Sequence, residues 1–242
     1  MSLTPTNIQN KNKNNGPFDS SFDNIARNII DHHFSENEQF IGLGSGRAVT
    51  KIVKLLSPEV IQNCKFVCTS LQIKIEAEKK NLVIVDESKI PLLDLVIDGA
   101  DQIDEKNHLI KGGGGALLRE KILYYSAKKT IIVADSSKFV ESFSRSVPVE
   151  IIPFGRNAVL SFIAKIGGNP SLRSLDRGYP YITENGNLIL DTMFNDYSNI
   201  ENLEAQLKKI PGIMETGLFI KPPDHCYCAL ENGKFEDLSK SG

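Results

Sequence analysis

No run of apolar residues in this chain approaches the ~20 that a membrane-crossing helix requires, so no membrane association is expected. The opening stretch, MSLTPTNIQNKNKNNGPFDS, is polar and lacks the apolar centre of a signal peptide. A cation excess is missing as well, since 28 Lys and Arg against 30 Asp and Glu leave a net charge of −2. That balance argues against a chain built to coat nucleic acid, which needs cations to displace counterions along a phosphate backbone. A small anion needs only a local cluster of donors. Cysteine is scarce, four in 242 residues, which excludes a disulfide scaffold. Cys64 and Cys68, and Cys226 and Cys228, lie in the alternating runs KFVCTS and HCYCAL, without the two-residue spacing of structural zinc sites. They read as small apolar strand residues, and no metal is expected. A soluble cytoplasmic protein is the expectation.

Whole chemistries are missing too. The four histidines, at 32, 33, 108 and 225, form no Ser-His-Asp or Cys-His pattern, and no glycine run continues into the Gly-Lys-Ser/Thr of a P-loop. Gly42-x-Gly44-x-x-Arg47 lacks the third glycine of a dinucleotide fingerprint, and the acid expected about 20 residues later is absent. A phosphate at this helix N-terminus, with Arg47 as charge partner, suits the turn better.

What is present reads as one large domain or two small ones. Residues 1–18 are rich in Asn and Lys and are expected to be a disordered tail. A helix is predicted over SSFDNIARNIIDHHF, where Phe22, Ile25, Ala26, Ile29, Ile30 and His33 share a face and Ser20 with Asp23 resembles a capping pair. Strands and helices then alternate: QFIGL, the turn Gly44-Ser45-Gly46, helix RAVTKIVKLL, KFVCT, helix SLQIKIEAEKK, NLVIV, and LDLVI ending at Asp98. A polar loop, the glycines 112–115, a helix through Tyr125 and the strand TIIVAD follow. The fold class is therefore α/β, with a Rossmann-like parallel sheet whose ligands bind outside the carboxyl ends of the strands. Past Pro148, VEIIPF, helix GRNAVLSFIAKI, a short polar segment, the hairpin YITENGNLILD, helix IENLEAQLKKI and GIMETGLFI follow the order of a smaller ferredoxin-like α+β domain. The closing HCYCALENGKFEDL reads as strand–turn–strand returning to the first domain. The expected boundaries are 19–148 plus 222–242 for the Rossmann-like domain and 149–221 for the small one.

The stretch DLVIDGADQIDEKNHLIKGGGGALLREKI, residues 94–122, concentrates the chemistry. Asp98 and Asp101 stand where an apolar strand stops, although Asp98-Gly99 alone is also ordinary turn chemistry. Lys111 and the four glycines after it weigh toward a site. Such glycines expose successive N–H groups, the next helix adds its positive end, and the lysine adds a full cation. Glu120 lies about two turns into that helix, on the stripe Ala116, Glu120, Leu123, Ala127. An inward carboxylate is either a base with a raised pKa or the structural partner of Arg119, Lys121 or another cation. Lys138 follows a further strand end and either reaches the same cleft or lies exposed. His108, on the polar loop, is expected to be solvated. Carboxylates, lysines and anion-cradling backbone suit proton transfer beside the carbonyl of a phosphorylated molecule.

The motifs IGLGSG, TSLQ, DLVIDGAD, LIKGGGGALLREKI, IIVADSSK, VEIIPFG, GNLILD and IPGIMETGLF, in that order over roughly residues 22–238, resemble the ribose-5-phosphate isomerase type A family. The resemblance implies interconversion of D-ribose 5-phosphate and D-ribulose 5-phosphate in the non-oxidative pentose phosphate pathway, without cofactor or metal, by a homodimer or dimer of dimers. It places the general base on Glu120 and further catalytic groups on Asp98, Asp101 and Lys111. Substrate contacts fall on Ser45, Gly46, Arg47, Ala48, Gly99, Ala100, Gly112, Gly113, Gly114 and Lys138. The sequence departs from the pattern where Arg47 and Ala48 replace a Ser-Thr pair whose hydroxyls contact substrate; Arg47 supplies charge in exchange. Gln102 also replaces a common acid, and Leu118 a frequent threonine. Two other readings compete: a coenzyme A transferase or sugar-phosphate deaminase-like relative, and a sugar-phosphate sensor without turnover. Binding alone needs no base, so Glu120 argues against the sensor.

Overall fold

The computed structural model describes residues 16–35, 37 and 39–239, so most of the expected tail, residues 1–15, lies outside the described residues. In chain order the elements are α1 (Asp19–His33), β1 (Gln39–Leu43), α2 (Arg47–Leu55), α3 (Pro58–Ile61), β2 (Cys64–Cys68) and α4 (Leu71–Lys79). Next come β3 (Leu93–Asp98), β4 (Gln102–Ile103), β5 (Leu109–Ile110), α5 (Leu117–Ser126) and β6 (Ala127–Asp135). A second group holds β7 (Val147–Ile151), α6 (Arg156–Lys165), β8 (Gly168–Leu172), β9 (Leu188–Phe194), α7 (Ile200–Leu207) and β10 (Ile213–Thr216). The chain closes with β11 (Leu218–Phe219), β12 (His225–Ala229) and β13 (Phe235–Asp237). No helix among the described residues is long and apolar enough to cross a membrane.

The larger sheet runs β2-β1-β3-β6-β12 in parallel, with β13 as an antiparallel edge. Counted in chain order, the parallel strands lie 2-1-3-4-5, a doubly wound order whose winding reverses between β1 and β3. Apolar strands buried on both faces feed two cores. Ile131 and Val133 join the core shared with α1, α2 and α4, while Ile132 and Ala134 join Leu123 and Tyr124 of α5. The helix α1 buries Phe22, Ile25, Ala26 and Ile29 as its periodicity predicts. Its start differs, because Phe18 is the N-cap and no side chain caps the helix. Ser20 and Asp23 therefore lie inside the helix, two and five residues past the N-cap, rather than forming its cap. The expected strand over NLVIV contracts to one bridge, Ile84 opposite Phe66, as the chain enters through Asn81 at φ 55°.

The smaller sheet is antiparallel, ordered β10-β7-β9-β8, and with α6 and α7 completes the β-α-β-β-α-β arrangement. Its second strand is GNPSL, read from sequence as a polar connector. That segment pairs with β9 along its length, whereas the YIT arm of the expected hairpin contributes only Ile182 opposite Leu188. A side chain at Gly168 would meet Ile163, Phe194 and Thr192 within 3 Å, so close packing rather than an apolar pattern marks this strand. The Asn185-Gly186 turn does form, with Gly186 at φ 79°. GIMETGLFI is two strands, not one. Gly217 donates its N–H to the Pro148 carbonyl and accepts from the Lys111 N–H at 2.9 Å, and a Cβ there would lie 2.3 Å from the Lys111 carbonyl. The chain changes sheets at that contact, and β11 joins β5 and β4 in a three-stranded sheet.

The helix α5 lies between the two units, fastened by a lysine. The buried Lys121 ammonium reaches Glu204 at 2.9 Å, Glu215 at 3.0 Å and the Leu218 carbonyl at 2.7 Å. Removing it would leave Glu204 desolvated without its cation and Glu215 with Lys208 alone at 3.3 Å. Lys121→Met is expected to lower the unfolding free energy by about 3–5 kcal/mol, measured by urea titration. A loss within the ~1 kcal/mol of an exposed pair would contradict this account.

Candidate active site

Where the winding reverses, β1 and β3 end side by side, and the turns leaving them line a cavity of about 320 Å³. All fourteen positions expected from sequence border it: 45–48, 98–101, 111–114, Glu120 and Lys138. Asp98 closes β3, its Oδ1 accepting from the Gly99 N–H at 2.7 Å and its Oδ2 lying 2.9 Å from Lys111 Nζ. The same ammonium donates to the Gly99 carbonyl at 2.7 Å and lies 3.2 Å from Glu120 Oε2. All three residues are under 5% exposed. Gly44 makes this possible by bulk alone, since a Cβ there would sit 1.9 Å from Asp98 Oδ1.

Burial pushes the Glu120 carboxyl up to about 7; Lys111 pulls against the shift and Asp98 adds to it. Burial raises Asp98 as well, against the pull of Lys111. For Lys111 burial works downward, but Asp98 and Glu120 outweigh it and keep the ammonium charged. The helix carrying Glu120 begins later than its sequence implies. Ala116 is the N-cap, so Glu120 stands in the first turn of α5 rather than two turns in. The glycines delay the helix, because Gly115 N–H closes a turn on the Gly112 carbonyl at 3.0 Å and both residues have positive φ. Near a helix N-terminus an anionic carboxylate is also favoured.

Asp101 sits beside the glycine run, its Oδ2 accepting from the Gly113 N–H at 2.7 Å. At the first turn, Gly46 (φ 92°) caps α2, and Ser45 Oγ bonds the hydroxyls of Thr69 and Ser70 at 3.0 and 2.9 Å. The Arg47 guanidinium lies 5.1 Å over the Phe22 ring and 3.9 Å from Asp135. Lys138, half-buried at the same cavity, makes no ion pair among the described residues.

Some participants escaped the sequence reading. Asp135 ends β6 as Asp98 ends β3, so the strand-end rule reaches it; Phe22 reads only as core. Arg173 donates to the carbonyls of Gly112 and Gly113 at 2.9 and 3.1 Å, and the Tyr181 hydroxyl to that of Gly114 at 3.1 Å. No local pattern joins them to a loop some 61 residues away. His108 is not solvated. It is buried, with Nδ1 2.9 Å from Asp104, because Asp104 also accepts its N–H and folds the loop over the ring. His33 bonds the Tyr227 hydroxyl at 2.9 Å, away from the cavity, and all four cysteines are buried in β2 and β12.

A buried carboxylate–ammonium–carboxylate group beside a glycine-rich loop at the switch point of a parallel sheet is suited to proton transfer. Fold and site thus define an α/β enzyme of that class. Residues 65–233 match the family described as ribose 5-phosphate isomerase A (phosphoriboisomerase A). A ribose-5-phosphate isomerase A of Trichodesmium erythraeum is 36% identical over 202 residues, covering 80% of this chain and 85% of its own. A solved D-ribose-5-phosphate isomerase in complex with phospho-erythronic acid superposes with a TM-score of 0.83 at 29% identity, over 91% of this chain and 97% of that one. The ribose 5-phosphate isomerase A of Methanocaldococcus jannaschii superposes with a TM-score of 0.82 at 28% identity, over 92% and 99%. The chain belongs to the ribose 5-phosphate isomerase A family.

The raised Glu120 carboxyl carries a stability signature. Unfolded, it titrates near its ordinary value of 4.5; folded, it holds its proton to about 7. The folded chain thus binds the extra proton between those values, and the stability Glu120 contributes falls as pH rises through that window. The stability of the native protein relative to Glu120→Gln is expected to drop by about 3 kcal/mol from pH ~4.5 to pH ~8. Paired denaturation curves at the two pH values measure it, and a flat difference would rule out the raised carboxyl.

Proposed function

We propose that the protein interconverts D-ribose 5-phosphate and D-ribulose 5-phosphate through an enediolate, in the non-oxidative pentose phosphate pathway, with Glu120 as general base. The observation that carries the reading is a carboxyl balanced near neutrality, 3.2 Å from a fixed ammonium. A base must be deprotonated to take a proton and acidic enough to return it, so a value near working pH serves both directions.

In this reading the Glu120 carboxylate removes the C2 proton of the open-chain aldose. The electron pair forms the C1–C2 double bond, and negative charge moves to O1. Lys111 and the Gly114 N–H receive that charge, in place before the reaction. Asp101 carries the O2 proton to O1, Glu120 returns its proton to C1, and the carbonyl stands at C2. Asp98 transfers protons during ring opening. Residues 19–148 hold this chemistry, and 149–221 brace it. The phosphate lies at the first turn of α2, against the N–H groups of 46–48, Arg47 and Lys138. The neighbour's phospho-erythronic acid fits the same chemistry, since its carboxylate holds two oxygens as an enediolate does. The homodimer or dimer of dimers rests on the family resemblance, and the cytoplasmic location on the lack of an apolar run long enough for a membrane helix.

Glu120→Gln keeps the shape and loses the base. Its conversion of ribose 5-phosphate is expected to fall by about 10²–10⁴-fold, and in D₂O the native enzyme places deuterium at C1 of the product. Near-native turnover by the variant would overturn the assignment, and chelator is expected to leave the native rate unchanged.

Arg47→Ser tests the phosphate end. A charge-assisted contact of ~1.5 kcal/mol predicts a roughly tenfold rise in KM with little change in kcat. An unchanged KM would move the phosphate away from this turn.

A further inference from the structure

We infer that Arg173 is a positioning residue for the reaction, holding the Gly112–Gly113 peptide so that Asp101 and the Gly114 N–H face the sugar. The inference rests on the isomerase reading above. Arg173 belongs to the small unit, just past β8, and is anchored there by Asp191: Nε donates to Oδ2 at 2.8 Å and Nη2 to Oδ1. With two of its nitrogens committed, Nη1 points at the glycine loop and donates to the carbonyls of Gly112 and Gly113.

The other side of the same peptide meets Asp101. The Gly112 carbonyl accepts from the guanidinium at 2.9 Å, while the Gly113 N–H donates to Asp101 Oδ2 at 2.7 Å. A peptide with a cation at its oxygen and a carboxylate at its hydrogen is fixed by its own dipole, and flipping it would break both contacts. The next peptide follows. A trans unit places N–H opposite C=O, so drawing the Gly113 carbonyl toward Arg173 turns the Gly114 N–H the other way. Gly114 lines the cavity.

Glycines cannot hold such an arrangement unaided, since without Cβ their backbone visits most of φ/ψ space. Tyr181 adds a further hold, bonding the Gly114 carbonyl at 3.1 Å and pressing so close that a Cβ on Gly115 would lie 2.2 Å from its oxygen. The guanidinium in turn lies 5.9 Å from the Tyr181 ring. Only a fork of several donors spans two carboxylate oxygens and two carbonyls; a lysine offers one point charge.

Steady-state kinetics with ribose 5-phosphate on the full chain, for Arg173→Lys and Arg173→Ala, test the inference alongside thermal unfolding. In both variants kcat is expected to fall by about 10–100-fold while KM stays within about threefold, at temperatures where each remains folded. Added guanidinium ion is expected to restore part of kcat in R173A and none in R173K, where the lysine fills the space. Native kcat in a folded R173K would overturn the fork geometry. Should R173A fail to fold, R173K alone decides. Absence of turnover by the native enzyme would remove the isomerase reading and this inference together, whereas native turnover with both variants unaffected removes this inference alone.

Discussion

Two carboxylates share one ammonium at the wall of the cavity, each of the three under 5% exposed. Asp98, Lys111 and Glu120 cannot all be charged without burying a net negative charge, and a low-dielectric surrounding makes that costly. The group resolves the excess with a proton held between ordinary carboxylate acidity and neutrality. The surrounding structure is arranged around that compromise. Gly44 yields the space that Asp98 occupies, Gly99 supplies a carbonyl for the ammonium, and the Phe219 ring lies 5.5 Å from Lys111 Nζ. The same ring lies 4.9 Å from Lys121 Nζ, so one aromatic side chain stands beside both buried lysines.

Three consecutive residues of α5 show how the small unit enters this arrangement. Arg119 reaches Glu184 and Asn185 at 2.9 Å each, Glu120 turns to Lys111, and Lys121 reaches Glu204 and Glu215. The candidate base is bracketed by two cations, each held by small-unit carboxylates. Glu184 also accepts the Leu71 N–H at 2.8 Å, joining the turn to α4. The turn in turn depends on buried Glu150, which accepts from Thr183, Asn185 and Asn187. Fixing a carboxyl to a fraction of an ångström takes supports on several sides. The small unit supplies them, from the turn at Glu184, from α7 and from β10.

Much of this was legible along the chain because it is local. Asp98 stands at a strand end, Lys111 precedes four glycines, and Glu120 repeats with Ala116 and Leu123; each signal fits within one turn or one strand. The parallel sheet follows from the alternation for the same reason, whereas its strand order comes only from the pairing of distant strands. What the sequence hid depends on distant segments meeting. Arg173 is one arginine among many until β8 pairs with β9 and brings Asp191 beside it. The strand GNPSL is held by a partner whose Phe194 and Thr192 side chains close over Gly168, and its own pattern is silent. His108 looked solvated because its loop is polar, yet that polarity is spent inward, on Asp104 folding back over it.

Arg47 shows how a departure from the family pattern can be carried by neighbours rather than by the turn itself. Hydroxyls at this turn would need only their own backbone for placement, but a guanidinium on a longer stem needs a rest. The face of Phe22, from α1, provides one. Asp135 provides a second, loosely: 3.9 Å is long for an ion pair, and the arginine side chain is 52% exposed. Exposed pairs of that kind contribute little. Asp135 is meanwhile occupied in capping the 3-10 turn Ser136–Lys138, accepting from the N–H and hydroxyl of Ser137. The arginine is thus held near the cavity without being committed to its partner. In the proposed reading, a doubly charged phosphate at the α2 N-terminus outcompetes one half-engaged carboxylate, so placement and availability follow from the same weak contact.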